Sequence, residues 1–368
     1  MNFFKITFQV VYPMSKAATQ HKGLKMQRIY PETQTLTSTG RVSCHEPNIQ
    51  NVPKDFEFEV TPQLLKKALG SSLENSWCNK SSFLMSPYAS FVRTQDLEED
   101  TYKVSLRKAF IASEGCLIIA ADYSQLELRI LAHLSQDEKL LRILGPQNPD
   151  VFKAMASKWK KKPLEAVEAT DRQQVKQITY GILYGIGVKA LSEQLNVEEH
   201  EAMNFISTFM ETYPGVKKFI EKIVSECKVN GFVQTLQNRK RFLPNIKSTN
   251  TYAQAAAERQ AVNSTVQGSA ADLVKAAMIS IDQALTQKYP NSKPLRMEQR
   301  NYLESGAHFI LQLHDELYYE VVAEDLMPVA KIIKEKMEGA MEVKSVPFPV
   351  TVRIGPSWGE LAELIVDE

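Results

Sequence analysis

Two aspartates, far apart along the chain, each stand at the end of a short apolar run. Asp122 follows Cys116–Ala121 (CLIIAA), and Asp315 sits where residues 308–322, beginning HFILQLHDELYYEV, break between two apolar stretches. A wholly apolar run of this length reads as a buried strand. An ionised carboxylate at its end is costly unless it is paired or holds a metal. Glu316 follows Asp315 directly and makes a dense acidic point in an otherwise apolar hairpin. Hard divalent cations take oxygen ligands, and Mg²⁺ uses one or two carboxylates together with substrate phosphates. Two carboxylates on adjacent strands can bridge two ions about 3.5–4 Å apart, the arrangement of in-line phosphoryl transfer. Taken singly, each Asp reads as a turn residue or a helix cap. Nothing in the spacing says that the two strands are neighbours.

Helical blocks surround these strands. After Asp122-Tyr123-Ser124, Leu126, Ile130, Leu131 and Leu134 give one apolar stripe. Residues 171–185 begin with Asp171 as a cap, carry Val175, Ile178, Ile182 and Leu183 on one face, and stop at Gly185 and Gly187. Residues 251–285 read as one long helix, or two joined near Gly268, and residues 1–12 alternate like a strand. Hairpin and helices together predict an α+β fold. Residues 54–101 and 286–307 lack sustained periodicity and read as surface excursions.

The balance of 44 basic against 43 acidic residues excludes a globally basic nucleic-acid binder, but it hides local tracks. Residues 217–247 hold eight basic side chains against two acids, and residues 1–41 hold six against one. Clustered Lys and Arg attract a phosphate backbone whatever the total, although a single cluster is more commonly a solvated face. The four cysteines are scattered without a CxxC pair, so neither a disulfide framework nor a structural zinc site is expected. No run approaches the roughly 20 apolar residues of a membrane helix.

Two polar rows add chemistry. Arg172, Lys176 and Tyr180 recur every four residues, drifting only ~40° per step around a helix, and Tyr184 continues the row. Two cations followed by two rings suit a triphosphate followed by a base, since Arg forks onto phosphate oxygens, Lys supplies a point charge and an aromatic ring offers a stacking surface. Arg259, Asn263 and Gln267 form a second row, suited to minor-groove acceptors. The amide-rich segment Asn48–Val52, with Thr39-Gly40-Arg41 before it, repeats that theme. Each row alone is also an ordinary solvent face.

Read together, these segments resemble the motifs of the family A DNA polymerases. Residues 122–129 (DYSQLELR) resemble motif A, residues 172–185 (RQQVKQITYGILYG) motif B, and His314-Asp315-Glu316 motif C. Thr39-Gly40-Arg41, residues 48–53 and residues 266–272 (VQGSAAD) match as well, in order, from about Lys22 to Glu360. Within the family, DFEFEV, ADYSQLELRILAHLS, GFVQT, AERQAVN and the two excursions are similar to the theta-type branch, as is Phe152, with the nu-type branch the nearest rival.

The resemblance implies a right-hand fold of palm and fingers with an antiparallel palm sheet and the thumb largely missing. It divides the chain into residues 1–45 (thumb base and lead-in), 46–145 (palm, with 54–101 inserted), 146–251 (fingers) and 252–368 (palm, with 286–307 inserted). It implies two Mg²⁺ ions, which Mn²⁺ can replace, held by Asp122 and Asp315 with the Tyr123 carbonyl. Glu316 is then an accessory acid near the primer end. Arg172 and Lys176 bind the incoming dNTP, Lys176 protonating the pyrophosphate, and Gln125 belongs to the same nucleotide pocket. Tyr180 packs on the sugar, Tyr184 lies near the templating base, and Glu127 fills the place of a ribose 2′-hydroxyl. Arg41, Asn48, Gln50, Asn51, Arg259, Asn263, Gln267 and His314 contact the primer–template DNA. A theta-type polymerase implies a nuclear enzyme of double-strand break repair, joining ends through short homologies, with synthesis past lesions besides. The absent thumb makes a fragment that binds DNA without efficient catalysis the alternative.

Overall fold

The computed structural model describes residues 10–20, 26–59, 92–93, 101–145, 150–290 and 305–366. In chain order, α1 (Tyr12–Ala17) is followed by the short strands β1 (Thr19–Gln20), β2 (Gln27–Arg28), β3 (Glu32–Gln34) and β4 (Ser43–His45). The strand expected over residues 1–12 is corrected where it is described: Tyr12 opens a helix, because Pro13 at its first turn has no N–H to leave unpaired. Residues 1–9 lie outside the described residues. Next come β5 (Phe56–Glu59), β6 (Val92–Arg93) and β7 (Thr101–Val104), an antiparallel sheet in the order β5-β7-β6. The flanks of the 54–101 excursion are therefore paired strands rather than loop, and most of its interior lies outside the described residues.

The organising element is β8 (Cys116–Tyr123), the middle strand of a five-stranded sheet in the order β11-β12-β8-β13-β14. These are β11 (Ala307–Leu313), β12 (Glu316–Val322), β13 (Val350–Gly355) and β14 (Ala362–Glu363), and every pairing is antiparallel. Ile119, Ala120 and Ala121 of β8 are 0% exposed, so both faces of the strand are covered, which is why its sequence reads as a continuous apolar run. One face packs into the main core with α10 (Leu326–Glu338); Tyr123 reaches into it and donates to the Met337 carbonyl at 2.6 Å. The other face carries a smaller core of Ile118, Ala120, Leu313, Tyr318 and Trp358.

Between these strands lie the helices α2 (Leu126–Ser135), α3 (Glu138–Ile143), α4 (Val151–Lys160), α5 (Ala169–Leu183), α6 (Val188–Leu195), α7 (Glu199–Thr212), α8 (Pro214–Asn230) and α9 (Thr251–Lys288), with a hairpin of β9 (Phe232–Gln234) and β10 (Lys240–Phe242) before α9. Asp171 is not the cap of α5: Glu168 is, and Asp171 stands three residues in and bonds back to it, a reciprocal capping box. The α9 helix is one uninterrupted element, started by Asn250 accepting the Tyr252 and Ala253 N–H groups at 3.0 and 3.2 Å. It runs through Gly268, where a Cβ would lie 2.6 Å from the Thr235 methyl; glycine is there so that the β9 strand end can approach. The helix also extends to Lys288, three residues into the expected 286–307 excursion, whose residues 291–304 lie outside the described part. No helix among the described residues is long and apolar enough to cross a membrane.

Candidate active site

The sheet brings the two aspartates to one place. In the β8–β12 ladder Asp122 stands opposite Glu316. The two-residue turn His314-Asp315 joins β11 to β12 at the same end, with His314 in the left-handed conformation (φ 57°) and exposed. The Tyr123 N–H donates to the Asp315 carbonyl at 3.4 Å. Residues opposite one another in an antiparallel pair share a face, so Asp122 and Glu316 project from the side of Ala120 and Tyr318, away from the Tyr123 ring.

Burial pushes the Asp122 carboxyl up to about 7, and the negative charges of Asp315 and Glu316 add to it, while Arg353 and Lys54 pull the other way. Burial likewise pushes Asp315 up to about 6, against the pull of its own backbone N–H. Among the described residues neither carboxylate has an ion-pair partner, whereas Glu316 pairs with Arg353 and accepts the Tyr318 hydroxyl at 2.5 Å. Two half-buried carboxylates without an ion-pair partner among the described residues are, when ionised, acceptor-only groups, a donor set that fits a hard divalent cation. Among the described residues no three His, Cys, Asp or Glu side chains form a cage. Further ligands would come from water and substrate phosphates, as Mg²⁺ prefers.

Across from this pair lies α5. Its row is a continuous stack of cations and rings: the Arg172 guanidinium and Lys176 ammonium lie 6.0 and 5.9 Å from the centre of the buried Phe152 ring. Tyr180 is 5.8 Å from Phe152, and Tyr180 and Tyr184 stack at 5.9 Å. Arg172 Nε also donates to Asp150 Oδ2 at 2.7 Å. The lower end of the row faces the carboxylates: burial raises the Tyr180 hydroxyl, and the charges of Asp315, Glu127 and Asp122 raise it further. Tyr184 donates its hydroxyl to Glu127 at 2.8 Å, and Glu127, buried on α2, also pairs with Arg41. Gln125 takes the left-handed conformation (φ 52°) at the start of α2. The remaining expected DNA contacts divide. Arg259 is exposed, its stem lying against Gly185 at the end of α5. Gln267 is half-buried, and the Asn263 Oδ1 is buried without a partner among the described residues. Asn48 and Asn51 are exposed, Asn48 accepting the Gln50 N–H at 3.1 Å.

Gln50 is held by the protein itself. Its amide nitrogen donates to the carbonyls of Val42 and Gln312 at 3.1 and 2.9 Å, and its oxygen accepts from Cys44 N–H at 3.1 Å. Both of its donors brace the β4 loop against β11, so any contact with DNA would use the second lone pair of its oxygen. Sequence reading also missed Arg353, Tyr318 and Trp358 around Glu316, and Arg239, which ties the Thr39 carbonyl to Asp272 of α9 at 2.8 Å each. Strand alternation over Thr351–Gly355 was a signal for Arg353, since it puts that side chain on one face with Thr351; nothing local marks its partner.

The model of the family described as DNA polymerase family A matches residues 4–360. The chain belongs to the family A DNA polymerases and has their fold. It is 42% identical to DNA polymerase theta of Mus musculus over 97% of its own length, and 35% identical to DNA polymerase theta of Drosophila melanogaster over 92%. It is also 36% identical to the thermostable DNA polymerase I of Thermus aquaticus over 88%. The chain spans 15%, 14% and 32% of the length of these relatives. A solved structure, the polymerase domain of Pol1 from M. smegmatis in complex with DNA primer-template and dNTP, superposes with a TM-score of 0.72 at 28% identity, over 95% of this chain and 50% of that one.

Proposed function

We propose that this chain is the catalytic part of a template-directed DNA polymerase, adding a deoxynucleotide from a dNTP to a primer 3′-hydroxyl. The observation that carries the reading is the ladder that sets Asp122 opposite Glu316 beside Asp315, with the Tyr180 end of α5 facing them. Asp122 and Asp315 would hold the divalent ions, Mg²⁺ or Mn²⁺, with the Tyr123 carbonyl beside them. When bound, such ions supply charge for a developing alkoxide and for the leaving pyrophosphate.

The rest is done by the protein's own groups. Arg172 and Lys176 bind the triphosphate, and Lys176 gives a proton to the departing pyrophosphate. Exchange of Asp150 for phosphate leaves the Arg172 guanidinium paired throughout. Tyr180 packs under the sugar. Glu127, fixed by Tyr184 and Arg41, fills the space a 2′-hydroxyl needs and so selects deoxynucleotides. Arg41, Arg259, Asn263 and Gln267, with Asn48, Asn51 and His314, line the primer–template path. On this reading residues 46–145 and 252–368 are palm and 146–251 fingers. The likeness to theta polymerases supports a nuclear role in double-strand break repair by joining through short homologies, with lesion bypass, and the 54–101 and 286–307 segments carry what is special to it.

Primer extension with Mg²⁺ tests the reading. The wild-type chain extends a primer and releases pyrophosphate, and Asp122→Ala or Asp315→Ala lowers turnover by about three orders of magnitude, the scale of losing one electrostatic stabiliser of developing charge. Normal extension by the Asp315→Ala variant sinks the assignment. Binding of primer–template without extension favours a DNA-binding fragment instead.

A further inference from the structure

Of the three acids gathered at this end of the sheet, Asp122, Asp315 and Glu316, Glu316 is the one that side chains of the described residues hold. Arg353, reaching over from β13, pairs with Oε1, and the Tyr318 hydroxyl bonds Oε2. The direction of that second bond is fixed by a third residue. Trp358 Nε1 lies 2.9 Å from the Tyr318 oxygen. An indole N–H can only donate, so the Tyr318 oxygen accepts it and turns its own proton to Glu316. Trp358 is in turn held from two sides. The Arg107 guanidinium lies 4.4 Å from its ring centre, and its backbone N–H donates to the Phe110 carbonyl at 2.9 Å. Tyr318 is 2% and Trp358 6% exposed, so water does not compete for these bonds. A glutamate side chain has several rotors and loses freedom only where something fixes it; here both oxygens are fixed, directly opposite Asp122.

We propose that Tyr318 and Arg353 are positioning residues for Glu316, with Trp358 aligning Tyr318. They hold that carboxylate at both oxygens, which leaves the divalent ions to Asp122 and Asp315 and presents Glu316 to the primer end in one place. The last clause rests on the polymerase reading; the restraint on Glu316 does not. A Glu316 released from Tyr318 turns toward the cations as a third carboxylate, tightening ion binding while misplacing the acid.

The test compares Tyr318→Phe, which keeps the ring and removes only the donor, with Glu316→Gln and the double variant. Melting curves establish that each variant folds. Tyr318→Phe lowers kcat by about 10-fold, the size of effect seen when a group that orients a metal-site residue is lost, with KM for dNTP unchanged. In the Glu316→Gln background the same change costs nothing further, because the cycle closes only if the hydroxyl acts through the carboxylate. Mn²⁺ binding to the DNA-free protein, measured by calorimetry, tightens severalfold in Tyr318→Phe and not in the double variant. Trp358→Phe moves kcat and Mn²⁺ affinity the same way by less. Additive losses in the cycle, or Mn²⁺ affinity unmoved by Tyr318→Phe, overturn the proposal. A wild-type chain that binds Mn²⁺ and extends no primer overturns the polymerase reading alone, since the Mn²⁺ arm still tests the restraint.

Discussion

Acids stand at both ends of the β8–β12 pair, and the two ends are built on opposite electrostatic plans. At the far end Glu320 is 1% exposed and saturated. Arg28 forks onto it at 2.7 and 3.4 Å, and the Ser113 N–H and hydroxyl each donate at 2.7 Å. Burial alone raises that carboxyl, but these partners outweigh it and leave it below its usual range. At the near end Asp122 and Asp315 are half-buried, have no such partners among the described residues, and are pushed up to about 7 and 6. A fold that can satisfy an acid completely in one place and leaves two unsatisfied a few residues away is holding acceptors ready for something from outside. The first end ties the β2 segment to the sheet; the second is a site.

Exchanging the two ends in mutants gives the largest contrast. Asp315→Asn removes turnover by about 10³-fold yet raises the melting temperature of the metal-free protein, because a repelled, partly desolvated charge is gone. Glu320→Ala does the reverse. It costs about 3 kcal/mol in denaturant unfolding, as leaving the half-buried Arg28 without its partner should, and leaves kcat per folded molecule unchanged. Loss of stability in Asp315→Asn would erase the distinction.

Acidity separates the ends next. Asp122 binds its proton more tightly in the folded state, so its contribution to stability falls as pH rises from about 4 to about 7 and is flat above that. The stability gap between Asp122→Asn and wild type, measured in EDTA, therefore opens across that window to about 2–4 kcal/mol. Glu320 has the opposite sign. Its contribution is complete above the unfolded value near 4.5 and is lost as pH falls through the depressed folded value, so the gap to Glu320→Gln closes in acid.

Smaller effects sharpen the picture. Saturating Mg²⁺ raises the melting temperature of wild type by the equivalent of about 1–3 kcal/mol, and that gain disappears in Asp122→Asn but survives in Glu320→Gln. On α5, Tyr180→Phe leaves folding and metal binding alone and reduces use of 3′-deoxy chain terminators relative to normal nucleotides. An unchanged ratio in single-nucleotide incorporation assays argues against the sugar-facing role of that ring.

Much of this was written in local pattern. The apolar run into Asp122, the hairpin broken at His314-Asp315, the four-residue row on α5 and the length of α9 all follow from periodicity, because each property is set within a few turns or residues of chain. The row's meaning was less legible. Phe152 joins Arg172, Lys176 and Tyr180 into one stack from a different helix, and no spacing along α5 announces it. Gln50 shows the converse. An amide beside Gly40 and Asn48 reads as a free hand for DNA until the carbonyls of Val42 and Gln312 are found on both of its hydrogens.

By itself, then, the amino-acid order determined which side chains carry charge, which runs must be buried, and which chemistry two strand-end aspartates invite. Only the folded sheet decided that β12 lies against β8 and that Arg353, Tyr318 and Trp358 converge on Glu316 while Asp122 and Asp315 stay unpaired. Strand partners are chosen by the packing of whole faces, and the partner of a charge is whatever that packing delivers from distant parts of the chain.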